Sequence, residues 1–267
     1  MLRLYVIAFL VFLYAPILLL PLFAFNDGTV IAFPLDGFTT KWFAALLDAP
    51  ALHRALANSL LVAVTAAVLA TILGLLAARA AARYRFRGKG PAMALIMTPL
   101  VLPEIIVATS LLVVAVRVLG LPLSLLTVVA AHTLICVPFA VAILNAAFAG
   151  LDPALEEAAV DLGETRASTF RLVTLPLILP GIVASLLISF TISLDEFIIA
   201  FFLTGSDPTL PVYVWGLLRF PRELPTIMAL GTILVIVSVA LLALAERSRR
   251  RGLARTGQRD TGGVLVQ

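Results

Sequence analysis

Three carboxylates lie within long apolar stretches of this 267-residue sequence: Glu104, Asp195 and Glu196. An ionisable side chain at the middle of a bilayer costs about 2.5–3.5 kcal/mol on insertion scales, so each needs a compensating environment. Either each acid is protonated or hydrogen-bonded and serves packing, or it lines a watery path and receives a cation. We favour the cation path for Glu104 and Asp195. The role of Glu196 stays open, because adjacent residues on a helix point about 100° apart and cannot both face one path.

No other group of residues has the types and spacing of a catalytic or metal site. The single cysteine, Cys136, lies in an apolar run, and the two histidines, His53 and His132, are far apart. We expect His132 to be a hydrogen-bonded packing residue. The segment RGKGPA, residues 87–92, lacks both the spacing of a phosphate-binding loop and the Ser or Thr that follows its lysine. The sequence therefore predicts no enzyme, no ATP hydrolysis and no cofactor in this chain.

The elements that must position the three acids are membrane-spanning helices, because 62% of the residues are hydrophobic and only 13% are charged. A helix needs about 20 mostly apolar residues to cross a bilayer. Six stretches satisfy this condition, at residues 4–25, 57–79, 91–116, 124–149, 177–203 and 225–245. The first is longer than a signal-peptide core and no cleavage motif follows it, so we expect a retained span. The sequence predicts an all-α integral membrane protein with six transmembrane helices.

The placement of the basic residues predicts that both termini are cytoplasmic. With this orientation only five of the 19 basic residues lie on the outer side of the membrane, namely Lys41, Arg54, Arg117, Arg219 and Arg222. The basic tail is expected to anchor this topology beside anionic lipid, and nucleic-acid binding is not indicated because no aromatic residues interleave its arginines. The chain divides into a first helix with its outer loop (1–52), a core of five helices (53–246) and the tail (247–267).

A long polar segment, residues 156–176, follows the fourth predicted span on the cytoplasmic side. Asp152 can cap a helix, Pro153 suits the first turn of a helix, and Gly163 suits its end. The sequence thus predicts a short helix between Pro153 and Gly163. A second short helix is expected after Gly163 and should stop at Leu175-Pro176, because the residue before a proline disfavours helical geometry.

The first of these short helices is amphipathic. Its apolar face carries four residues at helical spacing, Leu155, Ala158, Ala159 and Leu162. Glu156 and Asp161 project from other faces. Such a helix could lie on lipid headgroups or dock onto a soluble partner. Docking is favoured, because the cytoplasmic leaflet is negative and attracts basic rather than acidic helices.

The second predicted span has a regular series of small residues, which indicates close helix packing. Small residues recur at every fourth position of the second span, at Ala66, Ala70, Gly74 and Ala78. They permit close approach of another helix, and we favour packing within the chain over a subunit interface.

Pro103, Pro138 and Pro180 interrupt spans 3, 4 and 5. Their freed carbonyls could line a path or the prolines could bend the helices, and we expect only bending at Pro138.

The polar segment resembles the signature loop of ABC-importer permeases. That signature is Glu-Ala-Ala, three residues, Gly, nine residues and Ile-x-Leu-Pro. Glu157-Ala158-Ala159, Gly163 and Val173-Thr174-Leu175-Pro176 match at every spacing, with Val173 in place of isoleucine. The resemblance implies that the loop, residues 150–176, is a coupling helix and its flanks, which fit a cleft on an ATPase subunit. The residues implied in ATPase coupling are Glu156, Glu157, Ala158, Ala159, Asp161, Gly163, Leu175 and Pro176.

Four further segments, residues 98–112, 192–205, 209–219 and 224–232, resemble those of spermidine/putrescine permeases, in particular the second, shorter permease subunit. The resemblance implies a type I ABC importer permease fold in the bacterial inner membrane. It also implies a homologous permease, two ATPase subunits that use the ATP, and a periplasmic substrate-binding protein. Tyr213 and Trp215, in a predicted outer loop, are expected either to contact the binding protein or the cation, or to be ordinary interfacial aromatics.

Several alternatives remain at this stage. Related permeases for phosphonates, ferric iron and opine-like solutes share parts of these motifs. An ion-coupled secondary transporter could use Glu104 and Asp195 as well, but it would have no need of the 156–176 loop. A membrane-embedded enzyme is disfavoured, because no catalytic constellation stands out.

Overall fold

The computed structural model describes residues 2–256, with side chains described for residues 3–240. The predicted tail is thus described only as backbone up to Thr256, and residues 257–267 lie outside the described residues. Apart from an isolated β-bridge between Asn26 and Phe38, the regular structure of the described residues is helical. The α-helices are α1 (Leu2–Ala24), α2 (Lys41–Leu47), α3 (Pro50–Arg83), α4 (Lys89–Met97), α5 (Glu104–Val113), α6 (Leu125–Ala149), α7 (Pro153–Asp161), α8 (Arg166–Thr169), α9 (Leu175–Asp195), α10 (Ile198–Leu203), α11 (Leu210–Leu217) and α12 (Leu224–Thr256).

The predicted number of transmembrane spans is found only if two helical pieces, bent relative to each other, are counted together as one span. Within the described residues, five helical segments are long and apolar enough to cross a bilayer. A sixth span consists of two helical pieces, Lys89–Leu100 and Glu104–Val118, which are bent by 104° at the residues between them. The third predicted span, 91–116, is therefore not a single helix. Pro103 has an extended backbone (ψ 131°) and no N–H to donate, so the first piece cannot continue through it.

The other two prolines considered in the sequence analysis do not interrupt their helices. Pro138 lies inside α6 and Pro180 lies inside α9. The expected stop at Leu175-Pro176 is wrong, because the helical segment runs without interruption from Arg166 to Asp195. A π-turn over Phe170–Thr174 connects α8 to α9. This wider turn shifts the hydrogen-bond register just before Pro176, and the proline then falls in the first turn of α9, where its missing N–H is tolerated.

The helices group into two compact units. Among the described residues, one unit contains residues 2–50 and 216–256, and the other contains Ala51–Trp215. In the first unit α1 packs along α12. The division made from the sequence, which placed the last span with the five-helix core, therefore differs from the packing.

One part of the core of the second unit lies where α6 meets α3 and α9, and another lies where α6 meets α5 and α10. A Cβ added at Gly74 of α3 would lie 2.6 Å from the Cβ of Ala140 on α6. The other small residues of the predicted series, Ala66, Ala70 and Ala78, are fully buried. The small residues of the second span therefore serve packing within the chain, as expected.

Polar side chains also join these helices. The buried His132 of α6 contacts Ser193 of α9, with 2.8 Å between Nδ1 and Oγ. Thr71 of α3 and Ser185 of α9 share a hydrogen bond of 3.0 Å between their hydroxyl oxygens. His132 is thus a hydrogen-bonded packing residue, as the sequence indicated. The first bond joins α6 to α9 and the second joins α3 to α9, so both neighbours of α9 are held to it by side-chain hydrogen bonds.

Candidate functional site

The three intramembrane acids lie at breaks in the helices. Glu104 is the first residue of α5, directly after the bend at Pro103. Asp195 is the last residue of α9, and Glu196 follows it with an extended backbone (φ −67°, ψ 118°). The fifth predicted span, 177–203, therefore does not continue as one helix past Asp195. Broken helices at membrane depth are tolerated where they are buried in protein or line a cavity.

All three acids line one cavity of about 750 Å³. We call this space the acidic cavity, and its lining is completed by Pro99, Leu100, Leu102, Val107, Ile135, Phe139, Thr191, Ile192, Phe197, Ile198 and Ile199. The argument that Asp195 and Glu196 could not both face one path is wrong. It assumed that both residues belong to one continuous helix, whereas the helix ends at Asp195, Glu196 has an extended backbone, and both residues line the same cavity.

The acids differ in exposure and in hydrogen bonding. Glu104 and Asp195 are exposed, whereas Glu196 is buried. The Oε1 atom of Glu196 accepts a hydrogen bond of 2.8 Å from the backbone N–H of Ile199, in the first turn of α10. Glu104 occupies the first turn of α5. Two of the three carboxylates therefore sit at helix N-termini, where the helix dipole stabilises negative charge.

Aromatic and hydroxyl side chains of the cavity were not predicted from the sequence. Phe139 and Phe197 line it, and the ring of Phe197 lies 5.3 Å from that of Trp215. Thr191 lies one helical turn before Asp195 on α9. This spacing could have indicated from the sequence that Thr191 lies on the same face of the helix as Asp195. Tyr213 and Trp215 lie between the last two spans and belong there to the short helix α11, and neither lines the cavity.

The loop at residues 150–176 has the helix boundaries that the sequence predicted. Asp152 caps α7, because its carboxylate accepts a hydrogen bond of 3.0 Å from the N–H of Ala154. Pro153 is the first residue of α7. Gly163 follows the end of the helix with φ +95°, a left-handed conformation that favours glycine.

The apolar face of α7 is mostly uncovered in this chain. Ala159 is buried, whereas Leu155 and Leu162 are 48% and 88% exposed. Glu157 and Asp161 are exposed beside them. The helix thus displays large apolar side chains bordered by carboxylates, which is the surface that a docking partner of complementary shape would cover.

Glu156 does not share this exposure. Its side chain is only 20% exposed, and its Oε2 accepts a hydrogen bond of 2.6 Å from Nε of Arg83, at the end of α3. Its Oε1 accepts a second hydrogen bond of 2.6 Å from Oγ1 of Thr174. We call these three residues the Glu156 anchor. The sequence could not indicate it, because the two partners lie 73 and 18 residues away from Glu156.

Two aromatic contacts surround the Glu156 anchor. The guanidinium carbon of Arg79 lies 4.0 Å from the ring centroid of Phe170, in the π-turn before α9. The guanidinium carbon of Arg83 lies 5.7 Å from that of Phe148, near the end of α6. Arg79 and Arg83, which entered the sequence analysis only as determinants of orientation, therefore also hold the loop against the ends of the spans.

The helix arrangement matches the type I fold of solved ABC importer permeases. The chain superposes on a chain of the bacterial alginate ABC transporter, solved in complex with an alginate pentasaccharide-bound periplasmic protein, with a TM-score of 0.71. That comparison has 23% sequence identity and covers 94% of this chain and 93% of the other.

The sequence comparisons identify the family. The chain belongs to the family described as binding-protein-dependent transport system inner membrane component, which matches residues 70–251. It is 36% identical over 258 residues to the putrescine transport system permease protein PotI of Escherichia coli (strain K12), covering 91% of each protein. It is 34% identical over 236 residues to the spermidine/putrescine transport system permease protein PotC of the same strain, covering 88% of each. The resemblance found in the sequence is confirmed, and the chain is a multi-pass membrane protein of an ABC importer.

Proposed function

We propose that this chain is the permease subunit through which a polyamine crosses the bacterial inner membrane. It forms the membrane path together with a homologous permease, receives substrate from a periplasmic binding protein, and is driven by two ATPase subunits. The acidic cavity carries this proposal, because it gathers Glu104, Asp195 and Glu196 around one space at the broken helices. The names of the PotI and PotC relatives support the same substrate class.

The chemistry of the cavity favours an organic polycation. Several carboxylates around one space repel an anion such as a phosphonate. A ferric ion requires oxygen ligands gathered around a single point, and in the part of the chain that the structure describes no group of three acids, histidines or cysteines could hold a metal ion. The ammonium groups of a polyamine are separated along the molecule and match separated carboxylates. Phe139 and Phe197 offer aromatic faces to the same groups.

The cavity is suited to passage rather than to tight binding. Glu196 is already engaged by the backbone of Ile199, so its capacity to hold a substrate is reduced. Glu104 and Asp195 remain for direct contact with the cation. A transporter must bind its substrate strongly enough to admit it and weakly enough to release it.

Coupling to ATP hydrolysis takes place through α7. We place both termini and the 150–176 loop in the cytoplasm, on the strength of the positive-inside bias. Closure of the ATPase dimer displaces α7, whose exposed Leu155, Glu157 and Leu162 provide the contact surface. The displacement reaches the acidic cavity through α9, because the helical segment from Arg166 to Asp195 joins the loop to the cavity without interruption.

Uptake of labelled putrescine and spermidine by the reconstituted complex tests the proposal. We expect Asp195→Asn to lower uptake by about tenfold, the effect of losing one charge-assisted contact, while the ATPase still co-purifies. Asp48→Asn is the matched control, because it removes an exposed carboxylate remote in sequence from the cavity. Unchanged uptake in Asp195→Asn would remove this acid from the path. Uptake of an anion by the wild-type complex, with polyamines excluded, would refute the substrate assignment.

A further inference from the structure

Both oxygens of the Glu156 carboxylate accept hydrogen bonds within this chain. One oxygen accepts from Arg83 and the other accepts from Thr174, each at 2.6 Å. The next residue, Glu157, and Asp161 are exposed. Neighbouring acids on one short helix therefore have different environments, since one faces the spans and the others face outward.

The two partners of Glu156 belong to different spans. Arg83 is the last residue of α3, which is the second span. Thr174 is the last residue of the π-turn that leads into α9, and it is 1% exposed. A single side chain thus connects α7 to the ends of two spans that are distant in sequence.

Besides this side-chain connection, α7 packs on α8 and on the π-turn Phe170–Thr174, and its two chain ends join it to the spans. One end is the turn at Gly150–Asp152, and the other is the turn around Gly163. Turns of this kind can absorb a displacement without passing it on. Charge-assisted hydrogen bonds are shorter and stronger than neutral ones, and a half-buried ion pair is less screened by salt than an exposed pair.

We infer that Glu156 is a positioning residue that transmits the displacement of α7 to α3 and α9, and that it is not part of the surface that contacts the ATPase. The inference rests on the proposed function, since it requires an ATPase that moves α7. The acids of α7 therefore have different roles. Glu157 and Asp161 belong to the surface that contacts the ATPase, whereas Glu156 links α7 to α3 and α9.

Three substitutions break the Glu156 anchor in different ways. Glu156→Gln keeps an oxygen for Thr174, but its amide nitrogen cannot accept from Nε of Arg83, and the guanidinium loses its counter-ion. Arg83→Gln removes the same ion pair from the other side. Thr174→Val keeps the side-chain shape and removes only the hydroxyl, so it provides a variant with little risk to folding.

The measurement is the number of polyamine molecules transported per ATP hydrolysed by the complex in proteoliposomes. We expect Glu156→Gln and Arg83→Gln each to lower this ratio by about tenfold, as for the loss of a hydrogen bond to a charged group, and Thr174→Val by roughly threefold. ATPase co-purification and the rate of ATP hydrolysis should persist in all three. Arg87→Gln is the matched control, because it removes an exposed basic residue from the short connection after α3 and alters the topology signal equally.

Charge reversal distinguishes a specific pair from a general structural effect. The combination Arg83→Glu with Glu156→Arg should restore most of the transport per ATP that either reversal alone removes. An unchanged ratio in both Arg83→Gln and Thr174→Val would overturn the positioning role. Loss of ATPase co-purification in Glu156→Gln would also overturn it, because it would place Glu156 in the contact surface. Failure of the wild-type chain to bind any ATPase would instead refute the proposed function, and the positioning role with it.

Discussion

Glu196 accepts a hydrogen bond of 2.8 Å from the backbone N–H of Ile199, so an acid of the cavity also caps the helix that follows it. This bond satisfies one of the free N–H groups at the start of α10. The same bond fixes the orientation of the Glu196 side chain. A structural role and a place in the acidic cavity therefore coincide in one side chain.

The two roles of Glu196 can be separated by substitution. Glu196→Gln retains an oxygen that can cap α10, whereas Glu196→Ala retains none. We expect the alanine variant to be less stable than the glutamine variant by about 1 kcal/mol, or roughly 2–4 °C in Tm, the usual loss for a helix cap. Thermal unfolding of the purified chain in detergent measures this difference. Equal Tm values for the two variants would show that the hydrogen bond to Ile199 contributes nothing.

Gly163 ends α7 with φ +95°, and no atom within 4 Å would obstruct a Cβ there. The cost of Gly163→Ala is therefore backbone strain alone, roughly 1–2 kcal/mol. Gly150 lies at the other side of the loop with φ −79°, where alanine is tolerated. We predict that Gly163→Ala lowers polyamine uptake severalfold by displacing the end of α7, whereas Gly150→Ala leaves it near the wild-type level.

Gly163→Asn provides an intermediate case, because asparagine enters the left-handed region more readily than alanine. Its uptake should fall between the values for glycine and alanine. If Gly150→Ala and Gly163→Ala reduce uptake to the same extent, the left-handed conformation of Gly163 is not the cause of the lost uptake.

The boundaries of α7 show what the sequence could predict. Asp152, Pro153 and Gly163 act through local backbone chemistry, so their positions in the chain were sufficient. The family was also predictable, because its signature combines several fixed spacings within a short segment. The packing role of the small residues of α3 was predictable from their helical periodicity alone.

The features missed by the sequence depend on contacts or on backbone direction. A hydropathy pattern measures composition, and Val101 and Leu102 are apolar although the chain turns there. In the same way, two acids in an apolar run did not reveal that α9 ends between them. Helical spacing gives the faces of α7 but not which face meets the spans, so the sequence did not show that Glu156 lies against them.

The contact between Gly74 and Ala140 predicts a second pair of glycine variants. A Cβ at Gly74 would also approach the backbone carbon of Ala140 to 3.0 Å, so α3 and α6 must move apart to admit it. We expect Gly74→Ala to destabilise the chain by about 1–3 kcal/mol. Gly90→Ala, in α4, has open space around the added carbon and should be neutral or slightly stabilising. Retention of the wild-type Tm by Gly74→Ala would contradict the close packing of these helices.

The side of the membrane on which α7 lies tests the central claim most directly, because only a cytoplasmic α7 can be moved by an ATPase. Leu162 is 88% exposed, and the single native cysteine, Cys136, is buried, so Leu162→Cys introduces one accessible thiol. Asp48→Cys, in the exposed loop after α1, serves as the reference for the outer face.

A membrane-impermeant maleimide should label Leu162→Cys in inside-out vesicles and not in intact spheroplasts, with the opposite pattern for Asp48→Cys. Bound ATPase should protect the thiol at position 162 from the reagent. Labelling of Leu162→Cys from the periplasmic side of intact spheroplasts would contradict the account, because α7 would then be out of reach of any cytoplasmic ATPase.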